Sequence, residues 1–252
     1  GPRALPMRIV VDCRCAFDGC GGIGNYTRSL VQALARVSSR DEFTLLHSAA
    51  RPWQPIVEQP NVRSRPVPAA MLDRDWEQFE LPILLEELGA HLYHNPTFAL
   101  PIVHPCPTVS TIHDVVFHSR PDLVEPGLCS YLQQAAANAA VTATRIITVS
   151  EYSRDCIASA YGVDPAGIDV IYEAADLQRF SRRYMGARED ELRAKYRLHG
   201  PFILYVGSRE PRKDVDRLLA ASGAIAETLP HQLVLSGRTG GGRHDVHGPG
   251  PQ

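Results

Sequence analysis

The sequence has almost no lysine. Of its 26 basic residues only Lys195 and Lys213 are lysine, and against 28 acidic residues the formal net charge is -2. No global basic field exists to draw in nucleic acid or an acidic lipid surface. Long apolar runs are missing too: nothing approaches the roughly 20 residues of a membrane-spanning helix. Gly1–Pro6 lacks the apolar stretch of a signal peptide and reads as an extension ahead of a strand opening at Met7. Cysteine is sparse. Cys13, Cys15, Cys20, Cys106, Cys129 and Cys156 fall short of a disulfide scaffold. The first three cluster, but no fourth ligand stands at finger-like spacing. All six read as reduced thiols, and the expected location is the cytoplasm.

What is present is an ordinary globular balance, 44% hydrophobic and 21% charged, in 252 residues. That length suffices for one large domain, or for one domain and part of another. Apolar, β-rich runs alternate with helical patterns. The predicted strands are Met7–Cys13, Glu42–Ser48, His91–His94, Thr108–His113, Arg145–Ser150, Ile168–Tyr172, Phe202–Val206 and Gln232–Ser236. The predicted helices are Asn25–Val37, Asp75–Leu88, Gly127–Thr142, Glu151–Tyr161 and Asp214–Ala226, with Ser150 as an N-cap. Short continuous apolar strands alternating with helices indicate an α/β fold with parallel sheets. The polar, Arg-rich stretch 173–199 breaks the rhythm and reads as a linker. It separates a Rossmann-like domain over 7–172 from a partial one over 200–237. The tail 238–252 is rich in Gly, Pro, His and Arg and reads as disordered.

In open α/β sheets ligands bind beyond the carboxyl ends of the strands, and the unusual residues collect there. Gly19-Cys20-Gly21-Gly22-Ile23-Gly24 follows the first strand and satisfies G-x-G-x-x-G. A dinucleotide site wants its first glycine almost directly after the strand and an acid about 20 residues on. Arg14–Asp18 intervene here, and the second strand ends in Leu46-His47-Ser48. Two further readings stay open: a glycine turn for tight packing, and an anion-facing loop at a helix start. His94 and Asn95 follow the third strand, and His113-Asp114 closes the fourth. The His-Asp pair suits a substrate-facing base and its orienter, a structural pair or, less well, a metal site. Five of ten histidines lie between His91 and His118, at irregular spacing and without an acid cluster. Gly207-Ser208-Arg209-Glu210-Pro211-Arg212-Lys213 crowds three cations into a turn before a helix. Forked arginines and a point-charged lysine there suit a diphosphate, or else a solvated turn.

Gly22-Ile23-Gly24-Asn25-Tyr26-Thr27, Ile112-His113-Asp114, Val149-Ser150-Glu151-Tyr152-Ser153, and Tyr205-Val206-Gly207 leading into Glu210-Pro211-Arg212-Lys213 resemble, in that order, family 4 glycosyltransferases. The likeness runs from about Met7 to Gly237 and is closest to bacterial mannosyltransferase-like members. It implies a GT-B fold, two Rossmann-like domains facing across a cleft, with the acceptor bound by the first and a nucleotide sugar mainly by the second. It implies transfer with retention of configuration and no required metal or cofactor. Gly21, Gly22 and Gly24, with Arg209, Arg212 and Lys213, would meet donor phosphate. His113 would contact the donor sugar, with Asp114 beside it orienting polar groups. Asn25, Tyr26, His94, Asn95, Ser150 and Glu151 would lie on the acceptor side. The acceptor would be a glycan or a lipid-linked molecule, the latter reached at the inner face of the membrane. Two features depart from the family. Arg209 stands one step beyond the usual arginine position at Ser208, and the Glu-x7-Glu motif that holds ribose and donor sugar has no counterpart. The expectation is a truncated donor side and a chain impaired on its own. A non-catalytic glycan- or partner-binding module is the alternative, and a histidine-dependent metallohydrolase a third reading.

Overall fold

The computed structural model describes residues 5–17, 20–177, 179–180 and 187–237. Its main sheet begins with β1 (Arg8–Asp12), β2 (Glu42–Ser48), β3 (Val62–Val67) and β4 (Leu92–Asn95), and continues with β5 (Thr108–Thr111), β6 (Arg145–Thr148) and β7 (Ile168–Val170). All neighbours are parallel, in the order β3-β2-β1-β4-β5-β6-β7. Parallel strands buried on both faces need unbroken apolar runs. Val10, Val11, Leu45 and Leu46 are adjacent pairs pointing to opposite faces, and all four are buried. The chain leaves β1 towards β2 and β3, then returns to β4 on the other side of β1. That reversal opens a crevice beyond the carboxyl ends of β1 and β4.

Residue chemistry explains the departures from the predicted elements. β3 reads Val-Arg-Ser-Arg-Pro-Val and is exposed at its four central positions. It lacks an apolar run because it is the sheet edge, where Pro66 and two arginines discourage pairing with another chain. The helix predicted over Asp75–Leu88 opens as a π-turn, Trp76–Glu80, before α2 (Leu81–Glu87). Pro82 has no N–H to donate to the carbonyl four residues back, where an α-helix would continue. β5 ends at Thr111, so His113 and Asp114 sit in the connection to a short helix, α3 (Val116–Ser119), rather than at the strand end. The other helices of this sheet are α1 (Gly22–Val37), α4 (Pro126–Thr142) and α5 (Glu151–Tyr161). α5 starts on Ser150, whose Oγ accepts from Ser153 N at 3.1 Å, and stops on Gly162 in the left-handed region at φ 66°.

The chain divides into two compact units, residues 1–121 with 125–173, and 122–124 with 174–252. The second contains α6 (Ala187–Tyr196), β8 (Phe202–Val206), α7 (Val215–Ile225) and β9 (Gln232–Ser236). β8 and β9 pair in parallel. Ile203, Tyr205, Leu233 and Leu235 pack with Val215 and Leu218 of α7. On the other face of β8, Phe202, Leu204 and Val206 are 37%, 54% and 72% exposed. The disordered reading of 238–252 lies outside the described residues. The fold is the α/β, Rossmann-like type expected, with a seven-stranded parallel sheet in one unit and a β-α-β in the other.

Candidate functional site

A buried ionic network underlies the crevice. Arg14, two residues past β1, donates through Nη2 to Asp12 Oδ2 at 2.7 Å and to Glu77 Oε1 at 2.9 Å. Its Nη1 donates to the Ala70 carbonyl at 2.7 Å, and its guanidinium lies 4.5 Å from the centre of the Trp76 ring. The Arg14, Asp12 and Glu77 side chains are only 2%, 4% and 3% exposed. Burial opposes the Arg14 charge, but Asp12, Tyr93 and Glu77 outweigh it and hold the guanidinium firmly protonated. Burial raises the Glu77 carboxyl above its usual range despite Arg14 and a hydrogen bond from Tyr131 OH at 2.7 Å. Asp12 Oδ2 also accepts from Tyr93 OH at 3.0 Å. Tyr93 OH in turn accepts from Asn95 Nδ2 at 3.1 Å. Asn95 is thus locked: Nδ2 also donates to the Ala99 carbonyl at 2.5 Å, and Oδ1 accepts from Thr97 N at 2.6 Å. The set ties together β1, β4, the π-turn and α4. A cavity of about 90 Å³ adjoins it, with Arg74, Glu77, Leu100, Tyr131 and Asn138 in its wall.

Above the network runs a second polar chain. His94 Nε2 lies 2.9 Å from Thr111 Oγ1, which is 3.4 Å from Tyr26 OH. Burial, then the neighbouring His113, pull His94 down to about 4, so it is neutral near pH 7. The Tyr26 ring meets His113 edge-on at 4.8 Å. His113 Nε2 donates to the Pro96 carbonyl at 3.0 Å, and its Nδ1 faces Glu173 Oε1 at 3.6 Å. The ring is therefore fixed from two sides. Asp114 plays a different part from the one expected: its Oδ1 accepts from Val116 N at 3.0 Å and starts α3. Glu173, not Asp114, is the carboxylate beside the His113 ring.

The glycine loop divides into two kinds of glycine. A Cβ on Gly24 would fall 2.4 Å from Cys20 Sγ and 2.5 Å from the Cys15 carbonyl, so this glycine is demanded by packing. Gly21 and Gly22 are exposed, and a Cβ on either would meet nothing within 4 Å. Gly21 sits at φ -80°, where any residue is comfortable. Among the described residues no side chain caps α1, and no acid stands in its first turn. The first N–H groups of a helix have no partner within the helix, and here Gly21, Gly22 and Asn25 beside them are exposed. Gly19 lies outside the described residues.

Other expected site residues are occupied locally. Ser150 caps α5, and Glu151 pairs with Arg154 one turn on. In the second unit Tyr205 OH donates to the Ser208 carbonyl at 2.9 Å and bends the turn after β8. Glu210 accepts from Ser208 Oγ at 2.6 Å and from Arg212 Nε at 2.7 Å. The Ser208 bond and then Arg212 and Lys213 lower its pKa against the effect of burial. Arg212 is thereby engaged by its own turn, while the Arg209 and Lys213 side chains make no hydrogen bond or ion pair among the described residues. Among the described residues no three His, Cys, Asp or Glu side chains gather to hold a metal ion. The five clustered histidines serve separate partners instead: His91 meets Arg8, His94 meets Thr111, His104 the Cys106 carbonyl, His113 the Pro96 carbonyl and His118 the Tyr161 ring. No helix among the described residues is long and apolar enough to cross a membrane. Asp12, Arg14, Glu77, Tyr93 and Glu173 are not among the site residues expected from the sequence. Asp12 and Arg14 were legible as charges at the end of a buried strand, whereas Glu77 and Glu173 reach the crevice only through the tertiary fold.

Residues 20–179 match the model of a protein family described as Glycosyltransferase Family 4. The Escherichia coli O-antigen chain mannosyltransferase B is 28% identical over 241 residues, covering 87% of this chain and 61% of the relative. The Mycolicibacterium vanbaalenii D-inositol 3-phosphate glycosyltransferase is 28% identical over 149 residues, covering 58% of this chain and 30% of the relative. Among solved structures, Anabaena Alr3699/HepE in complex with UDP and glucose superposes with a TM-score of 0.59 at 17% identity, over 91% of this chain and 60% of that one. An Escherichia coli trehalose-6-phosphate protein bound with UDP-2-fluoro glucose gives 0.58 at 11% identity, over 93% and 65%. These two likenesses are of fold. The chain thus spans less than two-thirds of the length of each of these proteins. A family match over more than half its residues, on the sheet that carries the glycine loop and His113, shows that the chain belongs to Glycosyltransferase Family 4.

Proposed function

We propose that this chain serves transfer of a hexose, mannose-like, from a nucleoside-diphosphate sugar to a glycan or lipid-linked acceptor, with retention and without a metal or other cofactor. The observation that carries the reading is the start of α1. Among the described residues no side chain caps it, Gly21 and Gly22 are exposed with open space where a Cβ would stand, and Tyr26 joins the same helix to the fixed ring of His113. Glycosyl transfer builds positive charge on the sugar and negative charge on the leaving diphosphate. Preorganised N–H groups and cations at that phosphate lower the barrier. In this reading Gly21 and Gly22 let phosphate approach, His113 faces the donor sugar, and Arg209 and Lys213 supply cations, with Arg212 shared with Glu210. Asn25 and Tyr26 line the acceptor side, buried His94 and Asn95 support it from beneath, and Ser150 and Glu151 shape its rim through α5. Gly24 supports the loop by packing and Asp114 by starting α3. The mannose preference draws on the name of the Escherichia coli relative, and the nucleotide donor on the UDP-bound neighbours. A lipid-linked acceptor would bring the protein to the inner face of a membrane.

Calorimetry with GDP-mannose and UDP-glucose tests this directly. Gly22→Ala adds a methyl that meets nothing in the fold, so it should weaken nucleotide-sugar binding at least tenfold while leaving the melting temperature in place. Nucleotide binding unaffected by Gly22→Ala would refute the loop's role. Binding of glycan acceptors with no nucleotide binding at all would favour the non-catalytic module.

A further inference from the structure

Three of the six cysteines lie around the glycine loop, and the proposed transfer uses none of them. Cys13 and Cys15 are 1% and 4% exposed, whereas Cys20 is partly open to solvent. Burial pushes the Cys13 thiol up and the Cys15 thiol up to about 12, and Cys20 adds to the Cys15 shift through its charge. Cys15 and Cys20 lean on one turn of α1. Cys20 Sγ and the Cys15 carbonyl crowd the position a Cβ of Gly24 would take, at 2.4 and 2.5 Å. Cys15 Sγ lies 3.2 Å from Thr27 Oγ1, three residues along the same helix face. Cys20 N donates to the Phe17 carbonyl at 3.1 Å. Cys15 and Cys20 thus both border the space that residue 24 leaves by having no side chain.

We propose that Cys15 and Cys20 form a reversible oxidation site, closing a disulfide across Gly24 when a peroxide is present. The reachable Cys20 thiolate attacks one peroxide oxygen. The O–O bond breaks, water leaves after protonation, and Cys20 becomes a sulfenic acid. Cys15 sulfur then displaces the hydroxyl of that sulfenic acid. The S–S bond forms, a second water departs, and the Cys15 proton is consumed in it. Sulfur is oxidised by two electrons in all and the peroxide is reduced to water. The bridge would hold Cys20, the residue before Gly21 at the start of α1, against Cys15. Its effect on a phosphate ligand rests on the proposed function above; the bond itself does not.

The test uses the whole chain. Native protein is treated with stoichiometric hydrogen peroxide, denatured in N-ethylmaleimide and digested with trypsin. Cleavage after Arg14 and Arg28 leaves both cysteines in one peptide. The expected product is that peptide lacking two hydrogens and carrying no maleimide, restored to two maleimides by prior reduction. Chymotryptic cutting after Phe17 should leave the two fragments joined in the oxidised protein and separate them on reduction, because the bridge spans the nick. Cys20→Ser should leave Cys15 unoxidised at the same dose. Two maleimides after peroxide, a Cys20 sulfonic acid beside a free Cys15, or a cross-link to Cys13 would each overturn the proposal. A bridge that forms while GDP-mannose fails to bind either redox state would count against the proposed function and not against the site.

Discussion

Replacing Arg14 with alanine should be the most damaging single change in the first unit, and its cost should depend on pH. The substitution leaves the carboxylates of Asp12 and Glu77, 4% and 3% exposed, without the cation that lies between them. Removing one member of a buried ion pair costs about 3–5 kcal/mol, because the remaining charge stays desolvated. A single domain holds only about 5–15 kcal/mol in all. The pH dependence follows from Glu77. Burial already raises its pKa, and Arg14 is the strongest influence lowering it, so losing Arg14 drives it higher. Between the unfolded value of about 4.3 and that raised value, the native state holds a proton that the unfolded chain has released. Stability therefore falls as pH rises through the window, by about 1.4 kcal/mol per unit of extra shift. The deficit of Arg14→Ala relative to the parent should be largest near pH 7.5 and smaller near pH 5.5. Urea unfolding at both pH values, followed by the fluorescence of Trp76 against Arg14, measures it. Taking the difference between parent and variant cancels the titration of groups common to both. A deficit below about 1 kcal/mol, or one equal at the two pH values, would refute the claim that the network is a buried ionic unit.

His94 gives the opposite slope. Its folded value of about 4 lies below the unfolded 6.5, so the unfolded chain takes up a proton first as pH falls. The parent should be fully stabilised above pH 6.5 and lose roughly 2 kcal/mol by pH 5, and His94→Gln should flatten that decline. Gly24→Ala forces a methyl against the Cys15 backbone and should cost about 1–3 kcal/mol in denaturant titration. Gly22→Ala should stay within about 0.5 kcal/mol of the parent. Ser150→Ala removes the cap of α5 and should cost about 1 kcal/mol, seen as a lower urea midpoint with unchanged slope. Tyr131→Phe leaves Glu77 Oε2 without its donor and should cost about 1–3 kcal/mol.

The sequence by itself determined the parallel α/β class, because buried parallel strands must be unbroken apolar runs and Val10-Val11, Leu45-Leu46 and Ile146-Ile147 are legible as such. It also marked the start of α5, since a serine cap acts on its own helix three residues away. β3 stayed hidden because an edge strand needs no apolar run, and its identity comes from pairing with β2. Only the tertiary structure decided which residues meet at the switch point. Glu77 is 63 positions from Arg14, and Tyr93 is 81 from Asp12. It also sorted the glycines: the motif treats them alike, yet Gly24 answers to Cys15 and Cys20, whereas Gly21 and Gly22 face open space. Sequence spacing records which groups could lie at a strand end. Which carboxylate reaches His113, and which cation is already neutralised, depends on contacts that spacing does not contain.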